Sequence, residues 1–243
     1  MIIHSAFSLS QYEACPYRWY LMYKIKIYRY ELPTPAQLLG KSFHRTVKSF
    51  LKSKSRNQKW LYYIWKQNKK RINNECFEMV GDIAIECWWQ WYKNVIVLKK
   101  YIPKKIEGEF NNSILGANFK GYIDSIFKRE DICLNEDKYL ISDWKTGSWE
   151  IKNINDVDKI LKDSMQLYIY GCMVAESLKV DTSRIDIALY FAAHDKYVVC
   201  PLTESTAEMK IQKCLEDISE GNYRKIKGDS CSYCPYKDSC DDE

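Results

Sequence analysis

The chain has 243 residues, 46% of them hydrophobic, with 37 Lys and Arg against 32 Asp and Glu for a formal charge of +5. That is enough apolar material for one sizeable core. No apolar run approaches the ~20 residues of a membrane span, so a membrane protein is not expected, and the modest positive charge is compatible with an anionic partner without establishing one.

In chain order, SLSQYEACPYRWYLMYK reads as a helix, a break before Pro16 and a second helix, with Ser10 and Glu13 spaced as a capping box. Residues 36–53 put Leu39, Phe43, Val47 and Phe50 on one helical face. Residues 57–72 form another, aromatic helix. Residues 75–99 form a long one, with Cys76, Val80, Ile83, Cys87 and Trp91 as its apolar stripe. The period then changes. KKIEGEF and ANFKGYIDSIFK alternate around the turn residues of NNSILG, which predicts a hairpin, and KYLISDWKTG is a third strand. Residues 154–178 return to helix, with Ile160, Met165, Leu167, Tyr168 and Met173 among the apolar positions. RIDIALYFAA and KYVVCPL form a second hairpin around His194 and Asp195, and residues 204–220 the last helix. The expected architecture is a mixed α/β sheet flanked by helices. It divides into an N-terminal helical region (1–100), a core (101–222) and a cysteine-bearing tail (223–243), all in one compact domain.

Ten cysteines pose a choice between a disulfide framework and a metal site. Disulfide scaffolds are usually short, secreted and loop-rich. This chain is long and periodic, and its opening, MIIHSAFSLSQYEAC, has no basic n-region and no clear cleavage site, so a reducing cytoplasm is expected. Cys76, Cys87, Cys172 and Cys214 fall in helical patterns, where a free thiol behaves as a small apolar group. Cys133, in DICLNED, reads as a hairpin-turn residue. The tail is different: Cys231, Cys234 and Cys240 make C-x2-C-x5-C in a polar segment. Such clustering points to zinc or an iron–sulfur cluster, and the spacing alone leaves both open.

Asp124 lies near the end of one predicted strand, and Asp143 and Lys145 lie on the next. Residues two apart on a strand share a face. Two neighbouring carboxylates repel unless a divalent cation separates them, and oxygen ligands suit magnesium or manganese. Taken singly, a D-x-K strand reads equally as a solvated face, Gly121 as a bend or bulge, and His44 as a surface histidine.

Together, G-x-x-D (Gly121 to Asp124), D-x-K-T-G (Asp143 to Gly147), Q-x-x-x-Y (Gln166 to Tyr170) and the helical His44 in GKSFHRTV resemble the RecB-type branch of the PD-(D/E)XK nucleases. The resemblance runs from residue 8 to the C-terminus. It implies a restriction-endonuclease-like fold, a Mn2+ or Mg2+ ion held by His44, Asp124, Asp143 and the backbone carbonyl of Trp144, and Lys145 as the catalytic lysine. It also implies that Gln166 and Tyr170 line the DNA-facing side. Glu107 or Glu109 matches an acidic strand position of the family, without a secure alignment. Some RecB-like nucleases, among them AddB-type subunits and the compact exonucleases of CRISPR adaptation, pair an N-terminal cysteine with such a tail around a 4Fe–4S cluster. Cys15, in S-x-x-x-x-C-P-x-x-W/Y, is similar to that opening, so the resemblance implies Cys15, Cys231, Cys234 and Cys240 as a staple joining both chain ends.

The aromatic stripes, Trp88 and Trp91 included, are expected in the core. The run KQNKKR, with Lys66, Lys69, Lys70 and Arg71, is the expected DNA-facing edge. The function expected is that of a metal-dependent exonuclease on single-stranded or frayed DNA, in CRISPR adaptation, viral DNA processing or recombination, in a bacterial, archaeal or virus-infected cell. The competing expectation is a non-catalytic DNA-binding or scaffolding subunit with a structural zinc.

Overall fold

The computed structural model of the chain describes residues 3–29, 32–131, 136–147, 154–202 and 206–241. Cys133 lies outside them.

A short strand β1 (Ile3–His4) leads into α1 (Ala6–Ala14). Cys15 is extended, and Pro16 starts α2 (Pro16–Trp19), which widens into a π-helical turn at Tyr20–Lys24. A proline at the first helical position loses no hydrogen bond, since that N–H has no intrahelical partner. The capping box at α1 is formed by Ser5 and Ser8, not by Ser10 and Glu13. Ser10 lies inside the helix and donates its hydroxyl back to the Ala6 carbonyl at 3.2 Å.

Helices α3 (Pro35–Lys52), α4 (Gln58–Lys69) and α5 (Glu75–Trp91) follow, the last running on as a π-helix through Tyr92–Val97. In α3, Leu39, Phe43, Val47 and Phe50 are all buried, the face that the periodicity predicts. In α5 the stripe is offset. Cys76 and Ile83 are exposed, and Gly81, Ala84, Ile85, Trp88 and Trp91 turn inward. Glu75, Glu78, Asp82, Glu86 and Gln90 recur at three- and four-residue steps as a polar stripe, and the buried positions lie opposite it. The inward face packs closely at Gly81, where a Cβ would come within 2.4 Å of the Trp65 ring.

Six strands form one sheet. The long β3 (Ala117–Asp131) pairs antiparallel with β2 (Ile102–Ile114) along one edge, turning at Leu115 and Gly116. Along its other edge it meets β1 in parallel and then β4 (Glu136–Lys145) antiparallel. β5 (Ile185–Phe191) lies parallel to β4, and β6 (Lys196–Pro201) closes the sheet as the predicted hairpin, with Asp195 left-handed in its turn. The crossover from β4 to β5 is two helices rather than the one expected: α6 (Ile154–Lys162) and α7 (Met165–Leu178). Ser164 separates them because its side chain caps α7, accepting from the Leu167 N–H at 3.3 Å. After α8 (Thr206–Ser219) the chain reaches a 3-10 turn at Asp229–Tyr233 and α9 (Lys237–Asp241).

Each face of the sheet carries a core. Leu9, Trp19, Ile141, Ile169, Met173 and Leu189 pack on the side of α1, α7 and α8. Phe43, Phe50, Trp88, Trp91, Leu140, Trp144 and Tyr190 pack on the side of α3, α4 and α5. No helix among the described residues is long and apolar enough to cross a membrane.

Candidate active site and cysteine cavity

Strand register builds the first site. The β3–β4 ladder pairs Ser125 with Ser142, and one further step sets Asp124 opposite Asp143. The backbone N–H of Trp144 donates to Asp124 Oδ2 at 3.5 Å. The Trp144 ring is buried against Trp88 and Trp91, which leaves its backbone as the part near Asp124. Lys145 Nζ lies 2.8 Å from Asp143 Oδ2.

Helices on both sides complete the cluster. In α3, Gly40 packs beside Thr146, where a Cβ would sit 3.5 Å from the hydroxyl. One turn later His44 Nδ1 comes within 3.3 Å of Asp124 Oδ1. From α7, Gln166 Oε1 accepts from Lys145 Nζ at 3.2 Å, while its Nε2 donates to Asp143 Oδ1 at 3.4 Å and to the Tyr170 hydroxyl oxygen at 3.3 Å. Gly121 is no bend or bulge. Its ladder pairing is continuous, and a Cβ there would meet Tyr170 Cε1 at 2.8 Å, so the missing side chain makes room for that ring.

The electrostatics follow from burial and proximity. Burial pushes the Asp143 carboxyl upward, Lys145 pulls against it, and the Asp124 charge adds to the rise. Burial works against charge on Lys145, but Asp143 outweighs it and holds the ammonium above its ordinary value. His44 is likewise opposed by burial and raised on balance by Asp124 and Asp143. Burial and the nearby carboxylates keep the Tyr170 phenol protonated, against the Gln166 hydrogen bond.

Asp143 Oδ2 is buried, and its close partner is the Lys145 ammonium at 2.8 Å. Two carboxylates and an imidazole around such an oxygen form a donor set that suits Mg2+ or Mn2+. Among the described residues no three His, Cys, Asp or Glu side chains stand already gathered at ligating distance. His44 is engaged by Asp124, and Asp143 by Lys145. Glu107 falls across from Asp124 on β2 and pairs with Lys48, one turn after His44. Glu109 points elsewhere: it is exposed, and hydrogen bonds from Tyr122, Lys120 and Asn111 hold it down to about 2.

Packing of the chain ends builds the second site. Cys15, Cys231, Cys234 and Cys240 line one cavity of about 210 Å³, and all four thiols are free and partly buried. The Gly228 N–H donates to Cys231 Sγ at 3.4 Å. The ends are tied by protein contacts as well: Tyr17 N–H to the Arg224 carbonyl at 3.2 Å, Tyr236 hydroxyl to the Ile27 carbonyl at 2.7 Å, and Arg29 to Asp238 at 3.3 Å. The four thiols share a cavity, but among the described residues no three of them stand at ligating distance, and as a donor set they suit zinc or an iron–sulfur cluster equally.

Lys66 of α4 and Lys70 and Arg71 in the turn just after it are exposed, whereas Lys69 is engaged by Asp82 at 2.9 Å. Trp88 and Trp91 are buried, as expected. Gly121 shapes the site by what it lacks, although its motif reads as a bend, whereas at Gly40, which opens GKSFHRTV, a Cβ would make only an ordinary contact with Thr146.

The sequence profile of the PD-(D/E)XK nuclease superfamily matches residues 4–241. No curated protein matches in sequence. Among solved structures, a protein of Eubacterium rectale, provisionally assigned as an exonuclease, is similar over 96% of this chain and 87% of its own, at 15% identity and a TM-score of 0.55. The crystal structure of SSO0001 aligns over 97% of this chain and 95% of its own, at 16% identity, with a TM-score of only 0.36.

Proposed function

This chain belongs to the PD-(D/E)XK nuclease superfamily, and we propose that it is a metal-dependent deoxyribonuclease of the RecB-like, iron–sulfur branch. It cuts single-stranded or frayed DNA from an end, in CRISPR adaptation, viral DNA processing or recombination. One observation carries the hydrolytic reading: Lys145, Asp143, Gln166 and Tyr170 form a connected network on the strand and helix that also face Asp124 and His44.

His44, Asp124, Asp143 and the Trp144 carbonyl are the groups that would hold Mn2+ or Mg2+. Such an ion lowers the pKa of a water and polarises a phosphoryl oxygen. Lys145, kept charged by Asp143, stabilises negative charge developing on the phosphate. Gln166 fixes the lysine by accepting from it, and its bond to the Tyr170 oxygen leaves the phenolic proton free to donate to the DNA backbone. The exposed Lys66, Lys70 and Arg71 serve as a backbone-tracking edge. Four free thiols around one cavity and the sulfur-directed N–H of Gly228 support a thiolate-held group there, and the choice of iron–sulfur over zinc follows from the family resemblance of Cys15 and the tail spacing.

The test is cleavage of end-labelled linear single strands with Mn2+. Shortening from an end, arrested by EDTA and absent on circular single strands, is the expected result. Equal cleavage of circles overturns the end-directed reading, and no metal-dependent cleavage of any DNA overturns the nuclease.

A further inference from the structure

A groove of about 730 Å³ opens beside Lys145 and Gln166 and runs between α1, α6 and the start of α7. That volume falls in the range of ~300–1,000 Å³ typical of small-ligand pockets. Its floor includes Leu189 and Phe191 of β5, which the parallel register sets directly beside Asp143 and Lys145. The groove is therefore continuous with the acid–lysine cluster, not a separate cavity.

Two of its residues have no structural role to account for them. Phe7, on α1, is 62% exposed, while Ala6, Leu9 and Tyr12 of the same helix are buried. Its ring pairs with no other ring among the described residues, although it stands at the rim of a groove with an apolar floor. Lys159, on α6, is exposed and enters no ion pair among the described residues. Three acidic groups line the same groove, and each has a partner other than Lys159. Glu13 pairs with Lys210 at 3.5 Å, Asp163 accepts from the Thr206 hydroxyl at 2.6 Å, and Asp156 has a partner of its own.

We propose that this groove holds the nucleotide next to the scissile phosphate of a single strand, with its base stacked on Phe7 and its phosphate met by Lys159. The inference rests on the nuclease reading. An aromatic face replaces the stacking neighbour that a base loses when it leaves a helix, and every base has a π-face to offer it. A base inside a duplex has no such need, so the groove selects unpaired DNA. Phe7 and Lys159 are positioning residues and leave the chemistry to Lys145.

Binding in EDTA separates this claim from cleavage. The probes are a labelled oligothymidylate and an abasic oligomer of equal length, which keeps the phosphates and lacks the bases. The wild-type chain is expected to prefer the thymidylate, and Phe7→Ala to lose about fivefold or more of that preference. Phe7→Trp restores it. Lys159→Gln weakens both probes alike and lowers the slope of log affinity against log salt by roughly 0.7. A Phe7→Ala variant that keeps the full base preference overturns the proposal, as does one that loses affinity for the two probes equally. If the base preference behaves as expected but Mn2+ supports no cleavage, the groove stands and the nuclease reading falls.

Discussion

Asp124, Asp143 and Lys145 are placed by strand register, within some twenty residues of one another, and are held by a ladder that would exist whatever the side chains did. Cys15 and the tail cysteines are separated by most of the chain and meet because the two ends dock. The first site is a product of the fold, and the second is part of what closes it. The first concentrates buried charge, with Asp143 pushed up by burial and Lys145 held charged beside it. The second concentrates free thiols around one cavity. One region should therefore govern rate and the other stability, and substitutions can pull the two apart.

The largest effect belongs to the acid–lysine pair. Asp143→Ala and Lys145→Ala should each lower kcat by about 10³ or more, since preorganised electrostatic groups commonly contribute on that scale. Their stabilities should differ. Removing Asp143 leaves a lysine that is about one-third exposed and can reach water, whereas removing Lys145 strands a buried carboxylate. A broken buried pair typically costs about 3–5 kcal/mol, so in EDTA Lys145→Ala should melt well below Asp143→Ala. Equal melting temperatures would mean that the pair is solvated. Next comes Cys231→Ser or Cys240→Ser. Metal binding contributes several kcal/mol or more to small metal-held units. Tm should fall by about 10 °C or more, with absorbance near ~400 nm lost if the cage holds iron and sulfur. Cleavage should survive at temperatures where the variant stays folded. A serine variant that is fully folded yet inactive would make the cavity part of the chemistry and erase the division.

Gly121→Ala is a smaller and more local probe. The added methyl would meet the Tyr170 ring at 2.8 Å, and that ring is joined to Gln166. Activity should drop by about tenfold, a modest share of what preorganisation supplies, while Tyr170→Phe should cost less because the ring stays in place. If Gly121→Ala is fully active, the glycine is incidental to the site.

Much of this arrangement is legible in the sequence where a single period decides it. The two-residue spacing of Asp143 and Lys145 puts both on the α7 side of β4, and the four-residue spacing of Gln166 and Tyr170 aligns them along α7. The face of α3 is equally plain, since polar residues bound its stripe. Legibility fails where several answers are locally equivalent. Ser5, Ser8 and Ser10 all offer caps to α1, and only the docking of β1 against β3 decides among them. In α5 the buried face lies opposite the stripe of Glu75, Glu78, Asp82, Glu86 and Gln90, so an apolar stripe drawn through Cys76 and Ile83 misses it. Lys69 belongs to a basic run in sequence, yet Asp82 on the next helix engages it. The groove beside Phe7 joins three elements distant in the chain, so no local pattern announces it.

The smallest predicted effect tests how far the chain ends depend on their cysteines. Tyr236 is buried in the tail, and its hydroxyl donates to the Ile27 carbonyl at 2.7 Å, a contact that needs no metal. A hydrogen bond of this kind contributes about 1 kcal/mol, or about 2–4 °C in a domain of this size. Tyr236→Phe should lower Tm by that amount when the cage is filled. When it is stripped by chelation, the protein contacts alone hold the tail, and the local unit is less stable to begin with. The same substitution should then detach the tail itself, seen as faster proteolysis after residue 220 with little change in the melting of the sheet. If stripped and filled proteins respond identically, the tail is held by its hydrogen bonds and packing, and the cysteines serve something other than closure.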